Sequence, residues 1–134
     1  MTEIVSTTRK DRVRLVVLLH PKDGVPFEQF DRHWIETHGP LFRSIEIAKK
    51  NLLKYEQMHF NVIQNEAIAK MGLPSVPYYG MAIFEAESYE KIFQVFINQE
   101  YSEVIVPDEE KFFDRTKSLM IAGDLATFLD QVPA

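Results

Sequence analysis

Apolar residues recur along the chain with two different periods, and each change of period marks a new element. The run VRLVVLL, residues 13–19, is apolar and rich in valine, and turn-forming residues follow it, which predicts a buried central strand. A period of three to four residues then predicts a first helix over residues 27–45. We expect this helix to stop at Gly39-Pro40, because proline disfavours helical backbone in the residue before it. The apolar stripe of the helix comprises Phe27, Phe30, Trp34, His38, Leu41 and Ile45.

Strict alternation returns in LLKYEQMHF, residues 52–60, and predicts a second strand. Residues 61–77 are a longer connection, with one or two helical turns expected around residues 66–70. A third strand is predicted over residues 78–86. This part of the chain therefore reads as two strands joined by an irregular segment that could cover a pocket mouth.

A second helix is expected directly after the third strand, because Ser88 is placed to accept a hydrogen bond at its N-terminus. Pro107 breaks the segment that follows, and three acidic residues restart it with charges that favour a helix N-terminus. The run SLMIAGDLATFLD predicts a fourth strand and a C-terminal extension. The inward stripe of the second helix is predicted to be Tyr89, Ile92, Phe93 and Phe96.

The resulting order β-α-β-β-α-β predicts an α+β, ferredoxin-like fold: a four-stranded antiparallel sheet with both helices on one face. Residues 1–12 form a polar N-terminal leader, residues 13–130 a single domain, and residues 131–134 a C-terminal tail. The opposite sheet face needs a cover, since apolar residues occupy both faces of the first and third strands. A homodimer packed sheet to sheet would bury them, and a monomer with a mixed polar sheet face is the alternative.

Composition and charge narrow the possible partners. With 134 residues, 46% of them hydrophobic, the chain can form one compact core. A formal net charge of −5 provides no positive field for nucleic acid. The absence of cysteine excludes disulfides and thiolate chemistry, and it fits a reducing compartment. No run approaches the roughly 18 apolar residues of a membrane span. We therefore expect a cytoplasmic protein that binds neither nucleic acid nor membrane.

His33 and His38 are the first candidates for chemistry. Residues five apart on a regular α-helix diverge by about 140°, so we do not expect these two imidazoles to share a metal ion. His33 lies among charged positions and is expected to be solvated. His38 lies on the apolar stripe at the expected helix C-terminus, where free carbonyls would raise the pKa of its imidazole. It is either a general acid or base, or a buried histidine that caps its own helix.

Tyr55, Gln57 and His59 share one face of the second strand. Three polar groups in a row on an inner face are costly unless they contact a ligand, water or one another. If that face looks toward the first helix, His59 and His38 could converge on one pocket; if it looks outward, the three residues form a wet surface or a dimer contact. His20, at the end of the first strand, is a weaker candidate.

Familiar cofactor motifs do not occur in the sequence. There is no GxGxxG between a strand and a helix, no Walker sequence and no GxSxG elbow. HExxH is also missing, and no cysteine is available as a ligand. We expect no metal and no built-in cofactor.

The run FEQFDRHWIETHGPLFRSI, together with LLKYEQMHF and MIAGDLATFLD, resembles the EthD-like family of the dimeric α+β barrel superfamily. The family's first-helix pattern is an aromatic residue, a tryptophan and then His-x-Pro. Tyr55 matches the aromatic residue usual in the second strand. The resemblance extends over roughly residues 13–130. The residues in register with the helix pattern are Phe30, Trp34, His38, Pro40 and Leu41.

The resemblance implies a ferredoxin-like protomer that pairs through its sheet and has a pocket between sheet and helices. Similar family members tailor aromatic polyketides without a metal or redox cofactor, by dehydration, decarboxylation, ring closure or isomerisation. Carried over by position, His38 is the residue most like the family's pocket histidine, whereas His59 and His20 match less closely. We expect His38 to act as the principal acid or base, with His59 and Tyr55 assisting it. The predicted contacts with a hydrophobic aromatic substrate are His20, Phe30, Trp34, Gln57 and Phe93.

Our leading hypothesis is thus a cofactor-independent lyase, either a dehydratase or a decarboxylase, acting on an aromatic polyketide-type intermediate. A non-catalytic module that binds a hydrophobic small molecule or a partner synthase is the alternative from another class. A cyclase, an isomerase and a cofactor-free oxygenase of the same superfamily are further alternatives.

Overall fold

A computed structural model describes residues 8–133, and within this range an antiparallel sheet of four strands packs against helices on one face. The strand order is β2-β3-β1-β4, so the first and third strands are central. The predicted ferredoxin-like order of elements is confirmed. The strands are β1 (Val13–Leu19), β2 (Leu52–His59), β3 (Gly80–Ala86) and β4 (Leu119–Gly123).

Helical segments connect the strands. The α-helices are α1 (Phe27–His33), α2 (Gly39–Ser44), α3 (Glu46–Asn51), α4 (Val62–Lys70), α5 (Tyr89–Ile97) and α6 (Val106–Glu109). Two π-helical segments are π1 (Trp34–His38) and π2 (Tyr101–Ile105). The connection expected to hold one or two helical turns contains α4, which Asn61 caps by accepting a hydrogen bond from the backbone N–H of Gln64.

The core lies between the helix-facing side of the sheet and the helices. Leu15 and Leu19 of β1 alternate with residues of the opposite face, and Leu15 is paired with Phe84 of β3. Trp34 and Phe30 from the first helical run complete the core with almost no exposure. Gly80 is required under Trp34, because a Cβ atom there would lie 2.3 Å from the indole ring. A glycine in the central strand β3 therefore leaves room for the indole of Trp34.

The expected stop at Gly39-Pro40 is wrong, because the chain stays helical from α1 through π1 into α2. Gly39 has φ −58° and ψ −52°, and its N–H donates to the carbonyl of Trp34, five residues earlier. Proline lacks an N–H and crowds the carbonyl four residues before it, and the wider π turn accommodates this crowding without ending the helix. The break comes at Ile45, whose ψ is 141°.

The second predicted helix is present, and Ser88 caps it by accepting a hydrogen bond from the N–H of Lys91. Its buried face differs from the predicted stripe. Ile92 and Val95 are fully buried, whereas Phe93 is 47% exposed. The assignment of Phe93 to the inward stripe is wrong, because the helix is rotated so that the i, i+3 pair of Ile92 and Val95 meets the core.

The face of the sheet opposite the helices carries a row of apolar side chains. The pairings of β1 with its neighbours place Val16 beside Ile83 and Ile121, and Leu18 beside Met81 and Leu119. Near one end, Glu85 is buried on this face between Arg12 and Arg14, at nitrogen-to-oxygen distances of 2.8 and 3.2 Å. We call this surface the open face. Its apolar row consists of Val16, Leu18, Met58, Met81, Ile83, Leu119 and Ile121.

The predicted leader (residues 1–12) and tail (residues 131–134) fall partly outside the described residues, because residues 1–7 and 134 are not described. Within the described part, the N–H of Arg9 donates to the carbonyl of Leu125 at 2.8 Å, so the segment before β1 lies beside the segment after β4. No helix among residues 8–133 is long and apolar enough to cross a membrane.

Candidate active site

A cavity of about 220 Å³ lies between the sheet and the helices, and all four strands contribute to its wall. Aromatic rings supply much of the lining, and the polar side chains are few. The aromatic and imidazole residues of the wall are Trp34, His38, Phe42, Tyr55, Phe84, Phe96, Tyr101 and Phe113. The remaining polar or charged ones are Glu109, Arg115 and Ser118. Such a cavity suits an apolar ring system that carries a small number of oxygen functions.

His38 is held in this wall by a carboxylate from the other half of the chain. Its Nδ1 lies 2.8 Å from Oδ2 of Asp108, and both side chains are buried. The second carboxylate oxygen, Oδ1, lies 2.9 Å from Nε2 of His33. Because the carboxylate accepts hydrogen bonds, Nδ1 of His38 donates, and Nε2 is left as the basic nitrogen of its imidazole.

The π turn explains why two histidines reach one carboxylate. In π1 the hydrogen bonds run from residue i to residue i+5, so His33 and His38 lie one turn apart on the same side. On a regular α-helix they would diverge by about 140°. The expectation that His33 is solvated is therefore wrong: its ring also packs on Phe112, with centroids 4.8 Å apart.

Burial lowers the pKa of His38 below its ordinary value of 6.5, and the hydrogen bond and charge of Asp108 oppose this shift only in part. This reverses the direction expected for a histidine at a helix C-terminus, because no helix ends there. His38 is thus favoured in its neutral form, the form in which imidazole acts as a base.

Glu109, next to Asp108 in the chain, lines the same cavity and has the opposite shift. Burial raises the pKa of its carboxyl to about 7, against opposing contributions from Tyr101 and Arg115. Tyr101 donates a hydrogen bond to Oε2 of Glu109. The other oxygen, Oε1, is buried without a hydrogen bond, and its ion-pair contact is with Nε of Arg115 at 3.6 Å. Glu109 is therefore a carboxyl group that can carry a proton near neutral pH.

The hydroxyl of Tyr55 is oriented by a neighbouring amide. Nε2 of Gln57 lies 2.9 Å from the carbonyl oxygen of Trp34 and 3.0 Å from the hydroxyl oxygen of Tyr55. The carbonyl of Trp34 can only accept a hydrogen bond, so the group of Gln57 that faces it must be the NH₂ donor. The same NH₂ group donates to the hydroxyl oxygen of Tyr55. The phenolic hydrogen is left for another acceptor. Burial raises the pKa of Tyr55 to about 12, so it remains a donor.

His59 stands behind this amide rather than in the cavity wall. Its Nε2 lies 2.8 Å from Oε1 of Gln57, and its Nδ1 lies 2.5 Å from Oδ1 of Asp31. The ring also packs on Trp34, with centroids 4.6 Å apart. The face of β2 that carries these residues looks toward the first helical run, and the polar groups on it are satisfied by one another.

The sequence-predicted site residues therefore occupy different places. Trp34, His38 and Tyr55 line the cavity. The other five do not line it. Phe30 belongs to the buried core, and Gln57 and His59 support the cavity wall from behind. Phe93 stacks on Tyr89 at the surface, and Nδ1 of His20 contacts the carbonyl of Pro21.

Sequence reasoning missed Asp108 and Glu109, which we interpreted only as favourable charges at a helix N-terminus. They do occur in the first turn of α6, after Pro107. Their exposures are 4% and 6%, however, and that burial depends on how π2 and α6 pack over the sheet. The only available signal is that the three acidic residues 108–110 lie between the apolar run of residues 104–106 and Phe112-Phe113.

Residues 8–133 contain no group of three or more histidine, aspartate or glutamate side chains with the geometry of a metal site. His33, His38 and Asp108 meet as a hydrogen-bonded triad, with the carboxylate between the two rings.

The sheet order and the enclosed cavity define a ferredoxin-like α+β protein with a small-molecule-sized site between sheet and helices. The family model of the EthD domain matches residues 22–116, so the chain belongs to the EthD domain family. This confirms the resemblance seen in the sequence. No curated protein matches the chain.

Solved structures share the fold at low identity. An ethyl tert-butyl ether D (EthD) family protein from Bacillus halodurans is 19% identical, with a TM-score of 0.55 over 83% of this chain and 96% of that one. A hypothetical protein from Arabidopsis thaliana is also 19% identical, with a TM-score of 0.60 over 91% of this chain and 95% of the other. A dimeric ferredoxin-like protein of unknown function from Bacteroides fragilis is 11% identical, with a TM-score of 0.59 over 88% of this chain and 99% of that one. At these identities the likeness establishes the fold.

Proposed function

We propose that the protein is a cofactor-independent enzyme that transfers protons on an aromatic polyketide-type intermediate, with dehydration or decarboxylation as the reaction. One observation carries the proposal: His38 and Glu109 line the same cavity, and burial shifts their pKa values in opposite directions. Where the surroundings lower the pKa of one titratable group and raise the pKa of another, the first can act as a base and the second as an acid near neutral pH.

In a dehydration, Nε2 of His38 takes a proton from the carbon next to a carbonyl group. The carbon–oxygen bond of the β-hydroxyl breaks, and the proton of Glu109 joins the departing oxygen to form water. Tyr55 donates its phenolic hydrogen to the carbonyl oxygen, where negative charge develops. His38 and Glu109 then exchange protons with solvent before the next turnover.

In a decarboxylation, the carbon–carbon bond to the carboxylate breaks, carbon dioxide leaves, and the electron pair passes to the adjacent carbonyl to form an enolate. Tyr55 stabilises the enolate, and the protonated Glu109 delivers its proton to carbon and is then reprotonated by solvent. Both reactions require acid and base groups in an apolar, water-poor cavity. The ring-lined wall supports this requirement, because Phe42, Phe84 and Phe96 offer no hydrogen bonds to solvent.

The test incubates the purified protein with β-hydroxy ketones and β-keto acids on fused aromatic rings and follows substrate mass. We expect loss of water or of carbon dioxide. His38→Ala should reduce kcat on the order of 10²- to 10⁴-fold. The matched control is His20→Ala, which removes an imidazole outside the cavity and should retain the activity.

Unchanged turnover in folded His38→Ala protein would remove His38 from the mechanism. Binding of these compounds without any change in mass or isomer would instead favour a non-catalytic module that holds a hydrophobic small molecule. Turnover that consumes oxygen would favour the oxygenase alternative.

The proposal includes a homodimer formed through the open face. The apolar row leaves Met58, Leu119 and Ile121 each about half exposed in a single copy. Contiguous apolar surface of this kind marks an interaction site. The Bacteroides fragilis protein with the same fold is described as dimeric, which supports pairing of this chain.

A further inference from the structure

Arg115 places a positive charge in a cavity wall that is otherwise built mainly of rings. Its side chain is 54% exposed, so the guanidinium lies where the cavity meets solvent. Among the described residues its ion-pair partner is Glu109, at 3.6 Å between Nε and Oε1, which is beyond hydrogen-bond distance. The guanidinium therefore retains hydrogen-bond donors that this contact does not use.

The loop that presents Arg115 is fixed to the end of β1. The N–H of Asp114 donates to the carbonyl of His20 at 2.8 Å, and Ser118 donates to the carbonyl of Asp114 at 2.7 Å. Ser118 in turn accepts from the N–H of His20 at 3.0 Å. Oδ1 of Asp114 also accepts from the N–H and the hydroxyl of Thr116. Residues on both sides of Arg115 are thus held, and the side chain projects from a defined position.

Glu109 does not fully neutralise Arg115. Burial favours the protonated carboxyl of Glu109, because desolvation outweighs the nearby guanidinium. The second acidic group near the cavity, Asp108, is engaged with His33 and His38. The guanidinium at the mouth of the cavity is therefore only partly neutralised, next to an apolar interior.

We propose that Arg115 is a substrate-anchoring residue that selects aromatic compounds bearing a carboxylate, which pairs with the guanidinium at the cavity mouth while the ring system lies inside. A planar guanidinium matches a carboxylate through two parallel hydrogen bonds. The ring-lined volume of about 220 Å³ excludes long polar chains and suits fused rings. This inference names the substrate class of the proposed enzyme and to that extent rests on the proposed function, but the binding it describes does not require turnover.

Isothermal titration calorimetry with naphthoate and with naphthamide, its uncharged counterpart of similar shape, tests the anchor. The wild-type protein should bind naphthoate tighter by roughly ten- to a hundredfold, the range for hydrogen bonds to a charged group. Arg115→Gln should remove this preference while leaving naphthamide affinity nearly unchanged. Arg115→Lys should retain part of it, because a point charge replaces a planar fork.

The matched control is Lys117→Ala, which removes the same charge two residues away from a side chain that does not line the cavity. It should preserve the preference. Equal wild-type affinities for the two probes, no measurable naphthoate binding, or a preference that survives in folded Arg115→Gln protein would each overturn the proposal. Turnover of a carboxylate-bearing substrate with unchanged kcat/KM in Arg115→Gln would reject the anchor and leave the proposed acid–base function standing.

Discussion

Nδ1 of His38 lies 2.8 Å from Oδ2 of Asp108, although the two residues are 70 positions apart in the chain. The same carboxylate holds His33, which the π turn brings to the same side of the helical run. One acidic side chain from α6 thereby fixes the ring of His38 and its tautomer, so that the basic nitrogen is the one not bonded to Asp108. In the proposed mechanism, this arrangement orients the base in an apolar wall.

Replacing Asp108 by asparagine should disable His38 without removing it. The amide NH₂ would face an imidazole nitrogen as a donor, which favours the tautomer that carries its proton on Nε2 and has no base toward the cavity. We expect kcat to fall on the order of 10²- to 10⁴-fold on a substrate found in the turnover test. The ¹⁵N spectrum of the histidine rings should show the tautomer change without any substrate.

His33→Asn is the control for this prediction. It removes the other partner of Asp108 but not the contact with His38, so kcat should change far less. If Asp108→Asn keeps both the wild-type tautomer and the wild-type kcat, the carboxylate does not orient His38.

Gly80 should resist substitution because it lies directly under the indole of Trp34. A Cβ atom would come within 2.3 Å of the ring, and Trp34 is only 1% exposed, so the indole would have to shift within the packed core. We expect Gly80→Ala to lower the free energy of unfolding by about 1–3 kcal/mol, measured by urea denaturation. Gly123→Ala is the matched control, since nothing lies within 4 Å of its Cβ position. Equal stability of the two variants would show that Trp34 packs differently.

The sequence could predict the strands, the helix positions and the ferredoxin-like order, because these depend on local periodicity. β1 has the predicted limits, and Ser88 is the cap that its position suggested. The continuation of the helix through Gly39-Pro40 could not be predicted from local periodicity. Local rules assign proline to a helix boundary, whereas the observed helix widens by one residue per turn and continues.

Only some residues of the candidate site could be predicted from the sequence. Trp34 and His38 lie on a periodic apolar stripe, so the pattern predicts that they face inward, whereas alternation placed Tyr55 on one face of β2 without deciding which way that face looks. Asp108 and Glu109 are buried by contacts with segments distant in the chain, and periodicity carries no signal for that. The direction of the His38 pKa shift depended on the same missing information, since burial and not a helix end determines it.

Glu109 should make the stability of the protein depend on pH. Its pKa rises from 4.5 to about 7 on folding, so its stabilising contribution is fully present below pH 4.5 and is lost as pH rises through about 7. The charged or titratable groups around it are Tyr101, Arg115, Asp108 and Glu110. Relative to wild type, Glu109→Gln should therefore become more stable between about pH 5 and pH 8, by at most about 3 kcal/mol.

Urea unfolding of both proteins across this pH range measures the difference. His38 contributes with the opposite sign, since its lowered pKa favours the fold above 6.5, but it is present in both proteins and cancels. Glu110→Gln is the control, because it changes the exposed carboxyl of the next residue in the chain. Its free energy of unfolding should follow that of the wild type across the pH range. Parallel curves for Glu109→Gln would show that Glu109 is ionised in the fold.

The open face should hold two copies together, and Ile83 lies in the middle of it, paired with Val16 of β1 and Glu56 of β2. A charge at this position would be buried without a partner in a sheet-to-sheet dimer, so Ile83→Glu should yield a monomer in sedimentation velocity, whereas the wild type should sediment as a dimer. Ile97→Glu is the matched control, because Ile97 is 81% exposed at the end of α5 on the helical side of the sheet, and this variant should remain dimeric. Trp34 fluorescence should report an intact core in both variants, which separates loss of pairing from loss of folding. A wild-type monomer, or a folded Ile83→Glu dimer, would assign the apolar row to a different partner.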